Sequence, residues 1–315
     1  IRTKVPLMYY TIWDDLPYPR WNEPFYESCD LLMAISKQTH NIVKNVVRKH
    51  PKEDWQTTYI PHGIDHTKYF PIDAFHSEYD DFIKFKKEKV GDAEFVVHWG
   101  NRNIRRKMPG DVILAYKTFC DMLSKEQADK CVLMMHTAAV DDNGTDLPAV
   151  IKEICPDYKV KIVTDKVNDQ QMNWLYNIGD INVSIASNEG FGLHSCEALM
   201  CGTPTIINVT GGLQDQCGFK YKDKELTAED YSWVESLHDD RKWKDNPDLT
   251  HGEWVKPVWP SNRALVGSPP TPYIFDDRCR FDDVAQAIKD WYDEGHDRRE
   301  EVGQIGREWL LKEET

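Results

Sequence analysis

The chain has 315 residues, of which 40% are hydrophobic and 29% are charged, and this composition indicates a globular protein with one large or two medium domains. Acidic residues outnumber basic ones by 53 to 39, and the net charge of −14 argues against nucleic acid as the main partner. The sequence contains no apolar run near the ~20 residues that a transmembrane segment needs.

The first part of the chain predicts a short alternation of strands with one helix. The predicted strands lie at 5–13, 30–35 and 57–60. Ser36 is a suitable helix cap, and the predicted helix extends from it to about residue 50. The phrase Pro61-His62-Gly63-Ile64-Asp65 follows the third strand. We assign residues 1–75 to a first domain and residues 76–92 to a linker.

Residues 93–300 predict a second domain. Its predicted strands lie at 95–99, 131–136, 160–164, 180–185 and 204–208, and its predicted helices lie near 109–123, 146–154, 168–177 and 192–201. Such alternation indicates a parallel sheet wrapped by helices, with ligands bound beyond the carboxyl ends of the strands. Residues 218–280, rich in Trp, Pro and charge, predict an insertion within this domain. Residues 301–315 predict the start of a C-terminal helix.

The eight cysteines are scattered along the chain and include no Cys-x-x-Cys pair. Several lie inside apolar runs, as in 131–135, which are typical of buried segments. Scattered cysteines of this kind indicate reduced core thiols, so the sequence predicts a cytoplasmic protein.

A glycine turn lies between the predicted strand 180–185 and the helix after it. Its sequence is Glu189-Gly190-Phe191-Gly192-Leu193, and a second carboxylate, Glu197, follows within the helix. The first N–H groups of a helix have no intrahelical acceptor, and the helix dipole favours an anion there. The turn can therefore bind a phosphate while a carboxylate reaches a sugar hydroxyl beside it. A nucleotide sugar offers both groups.

A second motif follows the predicted strand 95–99. The sequence Gly100-Asn101-Arg102-Asn103-Ile104-Arg105-Arg106-Lys107 carries four cations within six residues. Taken alone, the segment is equally typical of a solvated basic turn. In an acidic chain, however, a diphosphate needs a local concentration of positive charge. Because both motifs follow the carboxyl ends of strands, we expect them to form one site.

Together these motifs resemble the retaining, nucleotide-sugar-dependent glycosyltransferases of the large group 1 family (family 4 glycosyltransferases), which includes sucrose and bacterial glycogen synthases. The matching elements also include Gly202-Thr203-Pro204, the pair Gly211-Gly212 and the phrase at 61–65. The resemblance covers roughly residues 25–217 and the helix near 281–310. It implies an α/β fold of GT-B type, with two Rossmann-like domains that contain parallel sheets. The first domain is expected to be an incomplete remnant, because only about 70 residues represent it.

The resemblance also implies roles for individual residues. The predicted catalytic residues are Glu189, at the transferred sugar, and Arg102 and Lys107, at the diphosphate. Arg102 is preferred to Arg105 or Arg106 because a Lys follows it after five residues, as in the family. The predicted donor-binding residues are Gly100, Gly190, Phe191, Gly192, Leu193, Glu197 at the ribose and Val167 near the base.

The chain departs from the family pattern in two places. Relatives often carry a functional histidine in the first domain, where this chain has Trp13-Asp14, so no histidine is assigned a role. His136-Thr137 stands where many relatives carry glycines, so the role of that loop stays open.

The implied reaction is transfer of a sugar from a nucleotide diphosphate sugar, with retention of the anomeric configuration, to an acceptor that is a glycan, a lipid or a small molecule. No Asp-x-Asp triplet, the usual metal-holding pattern of the other large glycosyltransferase fold, is present. Fixed cations and helix-end N–H groups can stabilise a leaving diphosphate without a metal. We therefore predict metal-independent activity with no cofactor and no metal ligands.

Two alternatives stay open. One is a nucleotide-sugar-binding fragment without catalysis, because a GT-B active site lies between two domains and the first is expected to be incomplete. The other is a Rossmann oxidoreductase, because residues 190–195 nearly match Gly-x-Gly-x-x-Gly. That match lacks its third glycine, and the strand ending at Asn208 lacks the acidic residue that would hold a ribose.

Overall fold

The computed structural model of the protein describes residues 5–49, 51–230 and 243–313. Parts of three predictions lie outside these residues: 1–4 of the first domain, 231–242 of the insertion and 314–315 of the C-terminal helix. The predicted end of the first helix, at residue 50, lies outside them as well. Within the described ranges, no helix combines the length and the apolar character that crossing a membrane requires.

The N-terminal part of the chain forms a parallel three-stranded sheet, which we call the N-terminal sheet. Its order is β1 (Met8–Thr11), β2 (Leu31–Ala34), β3 (Thr57–Tyr59). Helix α1 (Glu23–Ser28) lies between β1 and β2, and α2 (Lys37–Val46) follows β2. Ser36 caps α2 by accepting a hydrogen bond from the Thr39 N–H at 3.0 Å. The three predicted strands and the capped helix are thus confirmed, with β1 shorter than expected.

The predicted linker 76–92 contains a helix, α3 (Tyr79–Val90). Its apolar side carries Phe82 and Phe85, which are buried against the next part of the chain. The ring of Phe85 lies 5.4 Å from that of Trp174. Most of the linker segment is therefore packed onto the large sheet that follows.

Most of the remaining chain forms a six-stranded, all-parallel sheet, the main sheet. Five of its strands are β4 (Phe95–Gly100), β5 (Cys131–His136), β6 (Val160–Val163), β7 (Ile181–Ser184) and β8 (Thr205–Asn208). The helices between them are α4 (Pro109–Asp121), α5 (Lys125–Ala128), α6 (Leu147–Ile154), α7 (Asp169–Ile178) and α8 (Leu193–Met200). Every strand and helix predicted between 95 and 208 is present, and α5 adds one short helix.

The segment 218–280 differs from the predicted insertion. It begins with a small antiparallel sheet of β9 (Lys220–Tyr221), β10 (Lys224–Glu225) and β11 (Leu249–Thr250). Strand β12 (Val255–Val258) then pairs in parallel with β8, so the order of the main sheet is β12-β8-β7-β4-β5-β6. Part of the segment therefore belongs to the main sheet itself.

A long hairpin completes this segment: β13 (Asn262–Ser268) pairs antiparallel with β14 (Thr271–Arg278). The hairpin reaches the N-terminal part of the chain. The Phe275 N–H donates to the Leu16 carbonyl at 2.7 Å, and the Tyr273 hydroxyl donates to the Tyr18 carbonyl at 3.2 Å. The Tyr273 ring also packs edge-on against Trp21, with 4.4 Å between the centroids. The hairpin thus connects the two sheets.

The last element is α9 (Phe281–Glu313), a long helix interrupted at Gly295, where φ is 80°. The predicted helical segments near 281 and after 301 are both parts of α9. Its first half packs with α4 on one face of the main sheet and buries Trp291 beside Trp99, Tyr116 and Phe119. Burial of such large side chains contributes about 1.5–3 kcal/mol each. The main sheet is therefore a rigid support for the loops at its carboxyl edge.

Candidate functional site

The predicted glycine turn follows β7 and leads into α8. Gly192 is the N-cap of the helix and has φ 94°, a conformation that favours glycine. A Cβ on Gly192 would lie 2.5 Å from the Leu213 side chain. The turn is also locked to Gly212, whose N–H donates to the Glu189 carbonyl at 2.7 Å. A Cβ on Gly212 would lie 2.1 Å from the Gly190 carbonyl oxygen, so these glycines permit close packing of the two turns.

Residues 190–193 line a cavity and carry four backbone N–H groups. In the described part of the chain, none of these four groups has a hydrogen-bond acceptor. The cavity has a volume of about 560 Å³. An anion in this cavity can accept hydrogen bonds from the first N–H groups of α8.

Two cations of the second motif meet Glu189 at the same cavity. Residues 105–107 form a 3-10 turn before α4. The Lys107 ammonium donates to Glu189, and the Arg106 guanidinium donates to the same carboxylate at 3.1 Å. Arg106 also donates to the Asn188 carbonyl at 2.9 Å. The side chains of Lys107 and Glu189 are only 15% and 14% exposed, so solvent screens this pair weakly.

Arg102 lies outside this cluster, contrary to the predicted register. Its Nε donates to the Asp141 carboxylate at 3.2 Å, and its side chain is 64% exposed. The cause is a long-range backbone contact, because the Ser187 N–H donates to the Arg106 carbonyl at 2.8 Å. This bond brings the end of the motif, rather than its start, next to Glu189.

The cavity brings together six of the predicted site residues: Lys107, Glu189, Gly190, Phe191, Gly192 and Leu193. The other four, Gly100, Arg102, Val167 and Glu197, are not part of its lining. Val167 instead packs on the apolar cluster that contains Phe82. Residues of the N-terminal region also line the cavity, among them Ile12, Asp14 and His62. It therefore lies between the N-terminal sheet and the main sheet.

Asp14 is a site residue that the sequence analysis missed. Burial and the nearby negative charge of Glu189 raise the pKa of Asp14 to about 6, while Arg106 opposes the shift. Burial and the neighbouring Asp14 also raise the pKa of Asp15. Asp14 follows the carboxyl end of β1, the edge at which parallel sheets bind ligands, and that position was a usable signal.

Glu197 lies one turn into α8 and is held by tyrosines. The Tyr176 hydroxyl donates to its carboxylate at 2.5 Å, and Tyr69 donates a second hydrogen bond. Burial raises the pKa of Glu197, although both tyrosines oppose the shift. Gly100, at the end of β4, donates its N–H to the His194 ring at 3.1 Å. The His194 ring, which belongs to α8, therefore contacts the start of the cation motif.

The described residues contain no group of three or more His, Cys, Asp or Glu side chains arranged to hold a metal ion. At the cavity, the charges available for an anionic ligand are those of Arg106 and Lys107, joined by the N–H groups of residues 190–193. Fixed donors of this kind can stabilise negative charge that develops on a leaving diphosphate.

No protein-family model and no curated protein sequence matches the chain. Solved structures do. Sucrose-phosphate synthase from Thermosynechococcus elongatus superposes with a TM-score of 0.61 and 18% identity over 93% of this chain and 56% of that one. A glycosyltransferase from Rickettsia africae gives a TM-score of 0.64 and 16% identity over 99% and 67% of the two chains.

HepE from Anabaena, whose structure contains UDP and glucose, gives a TM-score of 0.53 and 14% identity over 98% of this chain and 72% of that one. The chain thus spans little more than half the length of the sucrose-phosphate synthase and about two thirds or more of the other two. Two parallel sheets with a cavity between them, and this likeness over nearly the whole chain, show that the protein has the GT-B fold of glycosyltransferases.

Proposed function

We propose that this protein transfers a sugar from a nucleotide diphosphate sugar to an acceptor, with retention of the anomeric configuration and without a metal ion. The observation that carries the proposal is the meeting of Arg106, Lys107 and Glu189 with the N–H groups of residues 190–193 at one cavity. A glycosidase needs paired carboxylates but has no use for a phosphate-binding turn.

In this proposal the diphosphate binds between the two cations and the N–H groups at the start of α8. Arg106 takes the role that the sequence suggested for Arg102. Glu189 contacts the transferred sugar, and Glu197 accepts hydrogen bonds from the ribose. Gly100 fixes the start of the cation turn through its N–H bond to His194, and Val167, which packs on the apolar cluster of Phe82, is assigned no donor contact.

The pairing of Glu189 with both cations has a consequence for donor binding. Burial lowers the pKa of Lys107, and the Glu189 carboxylate opposes this shift and favours the ammonium form. An incoming diphosphate competes with Glu189 for Lys107 and Arg106. Release of the carboxylate then makes its oxygens available to sugar hydroxyls. In this scheme, donor binding therefore also frees the Glu189 carboxylate to contact the sugar.

The first donors to test are UDP sugars, because HepE has been crystallised with UDP-glucose. The acceptor class, whether glycan, lipid or small molecule, is left open. We also propose a cytoplasmic location. All eight cysteines lie in the described residues and none forms a disulfide, which supports a reducing compartment.

The first experiment is a thermal-shift panel with UDP, GDP, ADP, their common sugar conjugates and NADH. A ligand at 100 times its Kd stabilises a protein by about 2.7 kcal/mol. We expect a shift with one nucleotide series that is lost in Glu197→Ala and Lys107→Ala. Lys117→Ala, which removes a half-exposed lysine on α4, is the matched control and keeps the shift. A shift with NADH alone would favour the oxidoreductase.

Turnover distinguishes an enzyme from a binding fragment. With a donor that binds, release of free nucleoside diphosphate is followed with and without EDTA, and we expect equal rates. Loss of activity in EDTA that magnesium or manganese restores would contradict metal independence. The proton NMR spectrum of the first sugar product reports whether the anomeric configuration is retained. Binding without transfer or hydrolysis would favour the non-catalytic alternative.

A further inference from the structure

A chain of hydrogen bonds joins the end of β4 to Glu197. It starts at the Gly100 N–H, which lies 3.1 Å from Nε2 of His194. The other ring nitrogen of His194, Nδ1, lies 3.2 Å from the hydroxyl oxygen of Tyr176. That hydroxyl lies 2.5 Å from Oε2 of Glu197. Four groups from three elements are therefore connected in series.

The backbone N–H determines the direction of every bond in this series. A neutral imidazole carries one proton, and Nε2 must accept because the Gly100 N–H can only donate. The proton of His194 is therefore on Nδ1 and is donated to Tyr176. The single hydroxyl proton of Tyr176 is then available only to Glu197, which accepts it. Burial lowers the pKa of His194 well below its usual range, so the neutral ring is the relevant form.

Aromatic rings pack around this series. The buried ring of His98 packs edge-on against His194 and Tyr176, with centroid distances of 5.1 and 5.4 Å. Tyr69 packs on Tyr176 from the other side at 5.7 Å and donates to Glu197 as well. Two hydroxyls thus occupy about half of the roughly four acceptor positions of a carboxylate, and the others stay open for a diol.

We propose that His194 and Tyr176 are positioning residues that orient Glu197 for the ribose diol of the donor and connect it to the turn that carries Arg106 and Lys107. The proposal rests on the proposed function, because it takes Glu197 as the ribose-binding carboxylate. Without the Tyr176 hydroxyl, the Nδ1–H of His194 and one oxygen of Glu197 both lose their partner. The carboxylate is then free to rotate away from the diol.

The test is discrimination between ribose and deoxyribose. Affinities of UDP, GDP and ADP and of their 2′-deoxy and 3′-deoxy forms are measured by calorimetry for the unsubstituted chain and for Tyr176→Phe. For the nucleotide that binds, we expect the ribose preference to fall about tenfold in Tyr176→Phe, the size of one hydrogen bond to a charged group. A purely structural role would weaken the ribose and deoxyribose forms equally. Tyr116→Phe, a fully buried tyrosine of α4, is the matched control and keeps the preference.

Nitrogen NMR of the His194 ring tests this series of hydrogen bonds without any substitution. It therefore tests the proposal even if Tyr176→Phe does not fold. We expect the Nδ1–H tautomer throughout pH 6–8, and an Nε2–H tautomer would overturn the proposal. If the unsubstituted chain binds none of the three nucleotides, the proposed function fails and the ribose role fails with it. Normal binding with an unchanged ribose preference in Tyr176→Phe overturns the positioning role alone.

Discussion

At the scale of single residues, Lys107 is the cation closest to Glu189 and one of the most enclosed charges of the cavity. We expect Lys107→Ala to lower turnover of the donor by roughly 10²–10³, the usual effect of removing one donor that faces developing negative charge. Arg106→Ala should also lower this turnover. Arg102→Ala should change it by less than about threefold, because the Arg102 side chain pairs with Asp141. Steady-state kinetics of the three variants checks the order. A larger loss in Arg102→Ala than in Arg106→Ala would restore the register expected from the sequence.

The position of these cations shows why the site was predictable only in part. The glycine turn and Lys107 are visible locally, because strand, turn and helix follow one another in the sequence. The choice between Arg102 and Arg106 depends on the bond from Ser187 to the Arg106 carbonyl, a contact between residues 81 positions apart. No local pattern contains that information.

We expect Asp14 to make the proposed nucleotide-sugar binding depend on pH. Its pKa is raised to about 6, first by burial and then by Glu189, so the carboxyl is neutral at pH 5 and ionised at pH 7.5. The ionised form adds negative charge beside the proposed diphosphate site. We therefore expect affinity to increase as the pH falls through about 6, by roughly tenfold, which corresponds to one pKa unit of coupling.

Calorimetry at several pH values measures this dependence. The probe is a nucleotide sugar, whose diphosphate keeps its charge over this range. His62 also lines the cavity, so the comparison is made with Asp14→Asn, which retains His62 and removes only the carboxyl. A shallower slope is expected in the variant. An identical slope in both proteins would rule out Asp14 as its source.

At the scale of elements, α8 starts in a conformation that only glycine adopts easily. We expect Gly192→Ala to lower the free energy of unfolding by about 1–3 kcal/mol, because φ is 94° and the new methyl group would meet Leu213. Gly110→Ala on α4 is the control, since its Cβ enters open space. Because alanine reduces the conformational freedom of the unfolded chain, we expect this substitution to raise the free energy of unfolding by about 0.4–1 kcal/mol. Urea unfolding measures both values. Equal effects of the two substitutions would contradict the strain argument.

The strands of the main sheet differ in how well the sequence predicts them. Strands β4, β5, β7 and β8 are buried on both faces, and β4 and β5 accordingly appear as nearly continuous apolar runs. Strand β12 contains Lys256 and Pro257 and therefore does not look like a strand. Its position at the edge of the sheet explains the proline, because an N–H that faces away from the sheet is not needed. The β13–β14 hairpin was predicted as part of an insertion, because its connection, Pro269-Pro270, is typical of a loop.

At the scale of the whole molecule, the hairpin joins parts of the chain that are about 250 residues apart. We expect Tyr273→Ala to lower the free energy of unfolding by about 1–3 kcal/mol, because it removes the ring contact with Trp21 and the hydrogen bond to Tyr18. Leu265→Ala on the same hairpin, 63% exposed, should change it by less than about 0.5 kcal/mol. Thermal unfolding and limited proteolysis near residues 16–21 report the result. Equal stability of the two variants would mean that the hairpin contacts do not stabilise the packing of the N-terminal region on the rest of the molecule.

The parallel main sheet was accessible from the sequence because alternating strands and helices leave few possible topologies, and the resemblance of the two motifs to a known family implied the GT-B fold. The assembly of the cavity was not accessible from the sequence. Asp14 and His62 meet the glycine turn only through tertiary contacts between the two sheets, such as that of the Lys37 N–H with Asp215 at 2.8 Å. The periodicity of helices and strands in the sequence does not predict such contacts.

The bond from the Phe275 N–H to the Leu16 carbonyl gives the molecule a built-in reporter. Any rotation that separates the N-terminal sheet from the main sheet on this side must break it and expose the amide to solvent. Hydrogen exchange at this single amide therefore counts such separations, whereas amides within β4 and β5 exchange only when the main sheet opens. The exchange rate of the Phe275 amide, divided by the intrinsic rate of the same amide in an unfolded chain, gives the free energy of opening the cleft, measured in the free protein and without knowledge of any substrate.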